Sequence, residues 1–286
     1  MSNKPITIFH LSDIHFGLVD ERAIDWARRE IEERRPDAVA ITGDLTMRAR
    51  HHEFDAATQW ITALDVPVTV SIGNHDMPYF NPIERFVTPY KRFEGMKSLV
   101  EREIDLPGLA IVPLKTVRRW QPRLNWSKGW VTDPALEKCL ACLDALPEGV
   151  KAIVTVHHPL REVGTQGTAL THNGGKALEE LAKRNVLAVL SGHVHDAFDI
   201  AEPTQHGPVR MIGAGTLSKR TRSTPPSFNE LRFDGENLQV TVRNLEQVDT
   251  ADMLIDDVPE DAMPPRKPGE PVAPVRQIPD VDPPVY

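Results

Sequence analysis

The stretch AVLSGHVHDAF, Ala188–Phe198, joins an apolar run to a glycine and then to two histidines, His193 and His195, separated by one valine. A run of that length followed by a turn reads as a buried strand delivering polar side chains into a loop. Four other apolar runs end in the same way. ITIFHLS (Ile6 to Ser12) leads into Asp13-x-His15, and DAVAIT leads into Gly43-Asp44. VPVTVSI leads into Gly73-Asn74-His75-Asp76, and VKAIVTV leads into His157-His158-Pro159. Taken singly, each group is a turn with a polar residue at its tip. Five Asp/Asn/His groups at the ends of five strand-like runs instead describe a sheet whose carboxyl-end loops build one site. The glycines before three of the groups (Gly43, Gly73 and Gly192) allow the backbone to turn sharply there.

Between these runs lie helix-like segments. DERAIDWARREIEERRP has Asp20 as its N-cap, Ile24, Ala27 and Ile31 on one face, and Pro36 as its stop. HEFDAATQWITAL spaces Phe54, Ala57 and Ile61 helically, and PALEKCLACLDAL and GGKALEELAKRN read as two further helices. Strand–helix–strand repetition predicts a mostly parallel sheet covered by helices. From Asp199 to Arg243 the runs VRMIGAG, SFNELRF and LQVTVRN are short and close together, with DGEN as a hairpin turn between the last two. The expected fold is therefore α/β, a sandwich of two mixed sheets flanked by helices, parallel in origin and extended by antiparallel strands.

The chain has 286 residues, 40% of them hydrophobic and 26% charged, with a formal net charge of −8. That charge sits mostly at one end. From Asn244 to Tyr286 ten acidic side chains face three basic ones, a net of −7, which leaves the preceding body near −1. A near-neutral body offers no electrostatic footprint for duplex nucleic acid. Nine of the 25 prolines also fall after residue 244. The expected organisation is a catalytic domain over 1–243 and an acidic, proline-rich tail over 244–286, solvated or strapped along the surface. No stretch approaches the length of a membrane span, and MSNKPITIFH does not read as a secretory leader. With Cys139 and Cys142 the only cysteines, in a helix-like segment, the expectation is a protein of the reducing cytoplasm. The Cys-x-x-Cys pair reads as two helix residues with at least one packed inward.

The order Asp-x-His, Gly-Asp, Gly-Asn-His-Asp, His-x-Pro, Gly-His-x-His resembles the signature of the calcineurin-like metallophosphoesterases, over about Ile6 to Ser218. The resemblance implies two metal ions a few ångströms apart, bridged by an aspartate and a hydroxide. Asp13, His15 and His195 would hold one metal, Asn74, His157 and His193 the other, and Asp44 would bridge them. The mixed oxygen and nitrogen donors suit manganese, iron or zinc, as divalent ions or a mixed-valence pair, better than calcium or a thiophilic metal. In-line attack by hydroxide on phosphorus expels an alkoxide, and His75 would supply its proton, with Asp76 or another carboxylate orienting the ring. His158 is expected to be structural.

The motifs most resemble the bacterial cyclic-nucleotide phosphodiesterase branch, so the implied substrates are small phosphodiesters, cyclic nucleotides among them. A phosphomonoesterase of the same fold and a scaffold that kept the fold without catalysis are the competing readings. Relatives are often dimers, which makes a homodimer the implied assembly. Many relatives carry aspartate and serine after the run LAIVPL, where this chain has Lys115 and Thr116. Three segments are candidates for the substrate side, although MRARHHE reads more readily as a solvated helix start and the aromatics of KTVRRWQPRLNWSKGW as a subunit contact or a loop pin. KTVRRWQPRLNWSKGW offers Arg118, Arg119 and Trp120 for stacking and phosphate pairing, unless its aromatics only pin the loop. MRARHHE offers Arg48, and the glycine-rich REVGTQGTALTHNGG could close over the site.

Overall fold

The computed structural model describes residues 4–245. Strand β1 (Ile6–Leu11) is followed by helix α1 (Glu21–Arg34), β2 (Ala38–Ile41), α2 (His51–Thr62) and β3 (Val68–Val70). Helices α3 (Pro82–Val87) and α4 (Lys91–Val100) then lead to β4 (Leu109–Pro113), α5 (Asp133–Asp144), β5 (Lys151–Thr155), α6 (Gly174–Ala182) and β6 (Val186–Ser191). Four strands complete the body: β7 (Phe198–Glu202), β8 (Val209–Gly213), β9 (Ser227–Phe233) and β10 (Leu238–Asn244). The first sheet has the order β10-β9-β1-β2-β3 and the second β4-β5-β6-β8-β7. In each, the strands linked through helices pair in parallel, while β9 and β10 extend one sheet and β7 the other by antiparallel pairing. The expected two-sheet mixed sandwich is the observed one.

Alternation along the strands explains why two sheets stack. Ile8 of β1, Ile153 of β5 and Leu190 of β6 point between the sheets into one cluster with Ala38, Ala40 and Ile212. Their neighbours Phe9, Leu11 and Val39 point the other way, into a layer with Ile24, Ile31 and Ile61 of α1 and α2. Val154 and Val189 likewise pack outward against Leu136, Leu143, Leu178 and Leu181 of α5 and α6. Strands covered on both faces need apolar residues at nearly every position, so they read as continuous hydrophobic runs. Asp20 caps α1 as expected, its carboxylate accepting from the Arg22 and Ala23 amides. Cys139 is buried on α5 and Cys142 exposed.

One expectation is adjusted. Asn244 belongs to β10 and pairs with Ser227, so the body runs past the expected boundary at 243. The rest of the expected tail, 246–286, lies outside the described residues. Among the described residues no helix is long and apolar enough to cross a membrane.

Candidate metal centre

The five loops meet at one end of the sandwich. Asp13 stands two residues past β1, Asp44 three past β2, Asn74 four past β3, and His157 and His193 two past β5 and β6. Five of the seven expected ligands, Asp13, His15, Asp44, His193 and His195, hold φ between 50° and 69°, the left-handed region that non-glycine residues rarely enter. Such backbone persists where surrounding bonds over-determine it. Here the Asp13 amide donates to Gly43 O (3.1 Å), the His15 amide to Asp44 O (2.9 Å), and the His193 amide to the Asp13 carboxylate (2.8 Å). Gly192 is required for closeness: a Cβ there would run into the Ser12 side chain and the Asp13 carboxylate.

The side chains converge with acceptors facing acceptors. His195 Nδ1 donates to Arg220 O (2.7 Å), His157 Nδ1 to Thr42 O (2.8 Å), and His15 Nδ1 lies 3.4 Å from Thr46 O. These carbonyls fix the ring orientations and leave each Nε2 aimed inward. His15 Nε2 and His195 Nε2 stand 3.3 Å apart, and His195 Nε2 is 3.2 Å from Asp13 Oδ1. That Asp13 oxygen is buried and receives no hydrogen bond. On the other side His157 Nε2 lies 3.1 Å from Asn74 Oδ1 and 3.3 Å from Asp44 Oδ2. The His193 ring is 5.2 Å from that of His157. Asp44 Oδ2 also reaches to 3.9 Å from His15 Nε2, so it spans both groups. Donor-poor convergence of this kind is what two cations would resolve, and the Asp/Asn/His set fits them.

Charge follows the same geometry. Burial would raise Asp44, but His157 and His75 beside it hold its carboxyl well below the usual range. Burial would depress His157, and Asp44, hydrogen-bonded to it, pushes it up to about 9. His15 and His193 lack so close an acceptor, and burial takes both down to about 3. His158 also lies against His193, yet both its ring nitrogens are engaged, Nε2 donating to Ser127 O (2.8 Å) and Nδ1 facing Thr116 Oγ1 (3.0 Å). It is structural, and Thr116 is its support.

His75 sits at the rim, with its ring 4.8 Å from that of His15. The expected orienting role of Asp76 is corrected. Met47 O, 2.7 Å from His75 Nδ1, sets the ring. Asp76 instead accepts from the Thr46 amide (2.8 Å), Thr46 Oγ1 (3.0 Å) and the Gly73 amide (2.9 Å), tying the second loop to the third. Burial and the nearby Asp44 push its carboxyl up to about 6. The expected substrate residues are also displaced. Arg48 lies over the Phe80 ring (5.4 Å) and Arg118 over Trp130 (4.7 Å). Arg119 donates to Phe86 O (3.0 Å), and Trp120 stands on the surface beside Arg118. None of the four lines the cavity over the ligand cluster. They were expected there because cations and aromatics suit phosphate, but they are spent bracing loops.

That cavity, about 250 Å³, is walled by Lys128, Arg220, Arg222 and the Gln166–Thr168 loop, with Asp44, His75 and His193 at its floor. The glycine-rich loop is thus at the site, as expected. Arg220, Arg222 and Lys128 were not anticipated. The cluster SKRTRS was the available signal, although a basic turn of that kind is ordinarily solvated. Arg220 Nη1 donates to His75 Nε2 at 3.1 Å.

Residues 6–197 match the family described as Calcineurin-like phosphoesterase. A protein of Pseudoalteromonas sp. (strain SM9913) named probable cyclic nucleotide phosphodiesterase is 26% identical over 206 residues, 68% of this chain and 72% of that one. The glycerophosphodiester phosphodiesterase of Enterobacter lignolyticus is 24% identical over 208 residues, 65% and 70% of the two chains. Among solved structures, a dimetal phosphatase from Danio rerio superposes with a TM-score of 0.63 at 15% identity, covering 84% of this chain and 97% of that one. A purple acid phosphatase from yellow lupin gives 0.52 at 14%, covering 84% and 52%. With loops from both sheets converging on one acceptor cluster and the family pattern spanning two thirds of its length, this chain belongs to the calcineurin-like metallophosphoesterases.

Proposed function

We propose that the chain is a two-metal phosphodiesterase acting on small diesters. The observation that carries this reading is the meeting of two cavities at the ligand cluster. The polar one, of about 250 Å³, and a larger groove, of about 870 Å³, share Asn74, His75 and Ser127. A phosphorus held there has room for an ester group on each side, which a diester needs and a monoester does not. The names of the relatives above favour the same class.

Asp13, His15 and His195 would hold one metal, Asn74, His157 and His193 the second, and Asp44 both. Bound there, the metals would supply positive charge against the phosphoryl oxygens and a water acidic enough to ionise near neutral pH. The chain's own contribution is electrostatic and positional. Lys128, Arg220 and Arg222 line the cavity, where fixed cations would stabilise charge that grows on the phosphoryl oxygens in the transition state. His75, with Nδ1 on the Met47 carbonyl, presents Nε2 to the leaving oxygen. Arg220 donates to that nitrogen, so substrate oxygens must draw Arg220 away before Nε2 can give the leaving alkoxide its proton.

The test is hydrolysis of bis-p-nitrophenyl phosphate against p-nitrophenyl phosphate by Mn²⁺-loaded protein, with His193→Ala as the control. A higher kcat/KM for the diester, abolished by the substitution, is expected. Preference for the monoester would move the assignment to a phosphatase, and full activity in the variant would overturn the ligand assignment.

A further inference from the structure

The 870 Å³ groove differs in chemistry from the cavity it adjoins. Its walls are Met47, Tyr79, Phe86, Leu124 and Trp126, whereas the neighbouring cavity presents Lys128, Arg220 and Arg222. Its volume falls in the range of roughly 300–1,000 Å³ typical of small-molecule sites. The walls are also held in place. Arg85 on α3 is only 8% exposed, yet it makes no ion pair with a carboxylate among the described residues. Its guanidinium donates to Arg119 O (3.1 Å) and Pro78 O (3.4 Å) and lies 5.4 Å from the Trp126 ring centre. Arg119 returns a bond to Phe86 O (3.0 Å), so α3 and the loop carrying Trp126 are clamped in both directions. Phe86 meets Trp126 edge to face at 6.2 Å. At the mouth, Tyr79 is 76% exposed, Phe86 44%, and Leu124 fully exposed. Apolar groups arranged as a rigid wall and left to water mark a place where an apolar ligand belongs.

Because the groove shares Asn74, His75 and Ser127 with the cavity over the ligand cluster, an occupant of the groove is joined to the group being hydrolysed. We propose that the substrate is an asymmetric phosphodiester with one bulky apolar ester arm, alkyl or aryl, seated in this groove, and a small polar arm on the cationic side. The proposal rests on the diesterase reading above and adds the chemical class of one arm. Asn74 and His75 belong to the metal site and Arg85 is spent on carbonyls and the Trp126 ring, which leaves Asn125, Ser127 and the Tyr79 hydroxyl as the groove's other polar groups, set in a wall that is mostly apolar. Recognition there is by burial and ring contact.

The experiment uses the full chain loaded with Mn²⁺ and the methyl, butyl, octyl and 4-phenylbutyl esters of glycerol phosphate, with products followed by ³¹P NMR. Burial of a methylene multiplies affinity roughly three- to fourfold. Since the groove is open along one side, kcat/KM should rise at least ~100-fold from methyl to octyl. Leu124→Asp, at a fully exposed position that the fold does not need, should cut the octyl-to-methyl ratio at least about tenfold. A phenylbutyl ester better than octyl identifies an aryl arm, and the reverse an alkyl arm. Turnover with no dependence on the apolar arm would overturn the proposal and leave the diesterase reading standing. If no diester is turned over, the diesterase reading fails and the groove is judged by calorimetry. Octylphosphonate binding at least tenfold tighter than methylphosphonate, and weakened by Leu124→Asp, supports an apolar subsite; equal affinities overturn it.

Discussion

Stripping the metals should destabilise the fold by an amount the site geometry sets. Asp13 Oδ1 is buried and receives no protein hydrogen bond, and the Nε2 atoms of His15 and His195 face each other at 3.3 Å. An unsatisfied buried polar group costs about 1–3 kcal/mol, more when charged. With Asn74 and Asp44 crowding acceptors around His157 on the second side, metal binding should relieve roughly 3–5 kcal/mol in all. Mass action gives a similar size, since a ligand at 100 times its Kd stabilises by about 2.7 kcal/mol per site. For a body of this length each kcal/mol moves Tm by roughly 2–4 °C, so Mn²⁺-loaded and chelated protein should differ by about 6–20 °C in calorimetry. His195→Ala opens only one half-site and should keep about half of that gap. A chelated protein melting within about 2 °C of the loaded one, with metal analysis confirming that both states were reached, would refute the reasoning. The facing lone pairs would then have to be satisfied by protons.

Arg220→Met removes a cation that faces the cavity and bonds His75. A charged hydrogen bond is worth about 1.5–3 kcal/mol, so kcat/KM for the diester should fall roughly 10–150-fold, while Tm changes little. Asp76→Ala leaves the Thr46 and Gly73 amides without their acceptor and the Thr46 hydroxyl with only the His75 carbonyl at 3.2 Å. Urea denaturation should show a loss of about 3–5 kcal/mol, and a loss of activity without that destabilisation would return Asp76 to the chemistry. Gly192→Ala forces a methyl against Ser12 and Asp13, so metal content measured by emission spectroscopy should fall along with stability. Burial pushes the Cys139 thiol up to about 12, so it keeps its proton at pH 8, while Cys142 is exposed. Ellman's reagent should therefore read one thiol in the native protein and two after denaturation.

What was legible in the sequence divides along physical lines. The strands were legible because both of their faces are covered, which makes most positions apolar, as in β1, β5 and β6. The ligands were legible because each stands within four residues of such a strand, where side-chain type alone carries the signal. Helix α3 was not. Its apolar residues Ile83, Phe86 and Val87 are exposed, and Arg85 is the buried one, so the usual helical face is inverted. The roles of Arg48, Arg118 and Arg119 were misplaced for a related reason. A cation satisfied by a ring or a backbone carbonyl looks, in sequence, like one reserved for phosphate. Arg220 and Asp76 act through partners 145 and 30 residues away, His75 and Thr46, and no local pattern encodes that pairing.

The left-handed ligands show why the two sheets matter to the chemistry. A non-glycine residue held in that region costs on the order of 1 kcal/mol or more, and five such residues lie within one site. A flexible loop would relax away from both the backbone strain and the converging acceptors. Here it cannot, because β1 and β2 pair in parallel and so do β5 and β6, which puts the loops that follow them side by side. The Asp13 carboxylate then bonds the His193 amide, and the Asp44 carboxylate bonds the His75 amide (2.8 Å), fastening loops from different strands to one another. Strain at the site is therefore offset by the three hydrophobic layers behind it. A destabilising change in those layers, far from any ligand, should loosen the ligands before it unfolds the chain. Ile153→Ala, at the centre of the layer between the sheets, is the case to examine. A large-to-small change there costs about 2–5 kcal/mol. Mn²⁺ affinity measured by calorimetry at 25 °C, where the variant is still folded, should weaken with it. Unchanged affinity in a folded but destabilised variant would show that the loops hold their strain without help from the core.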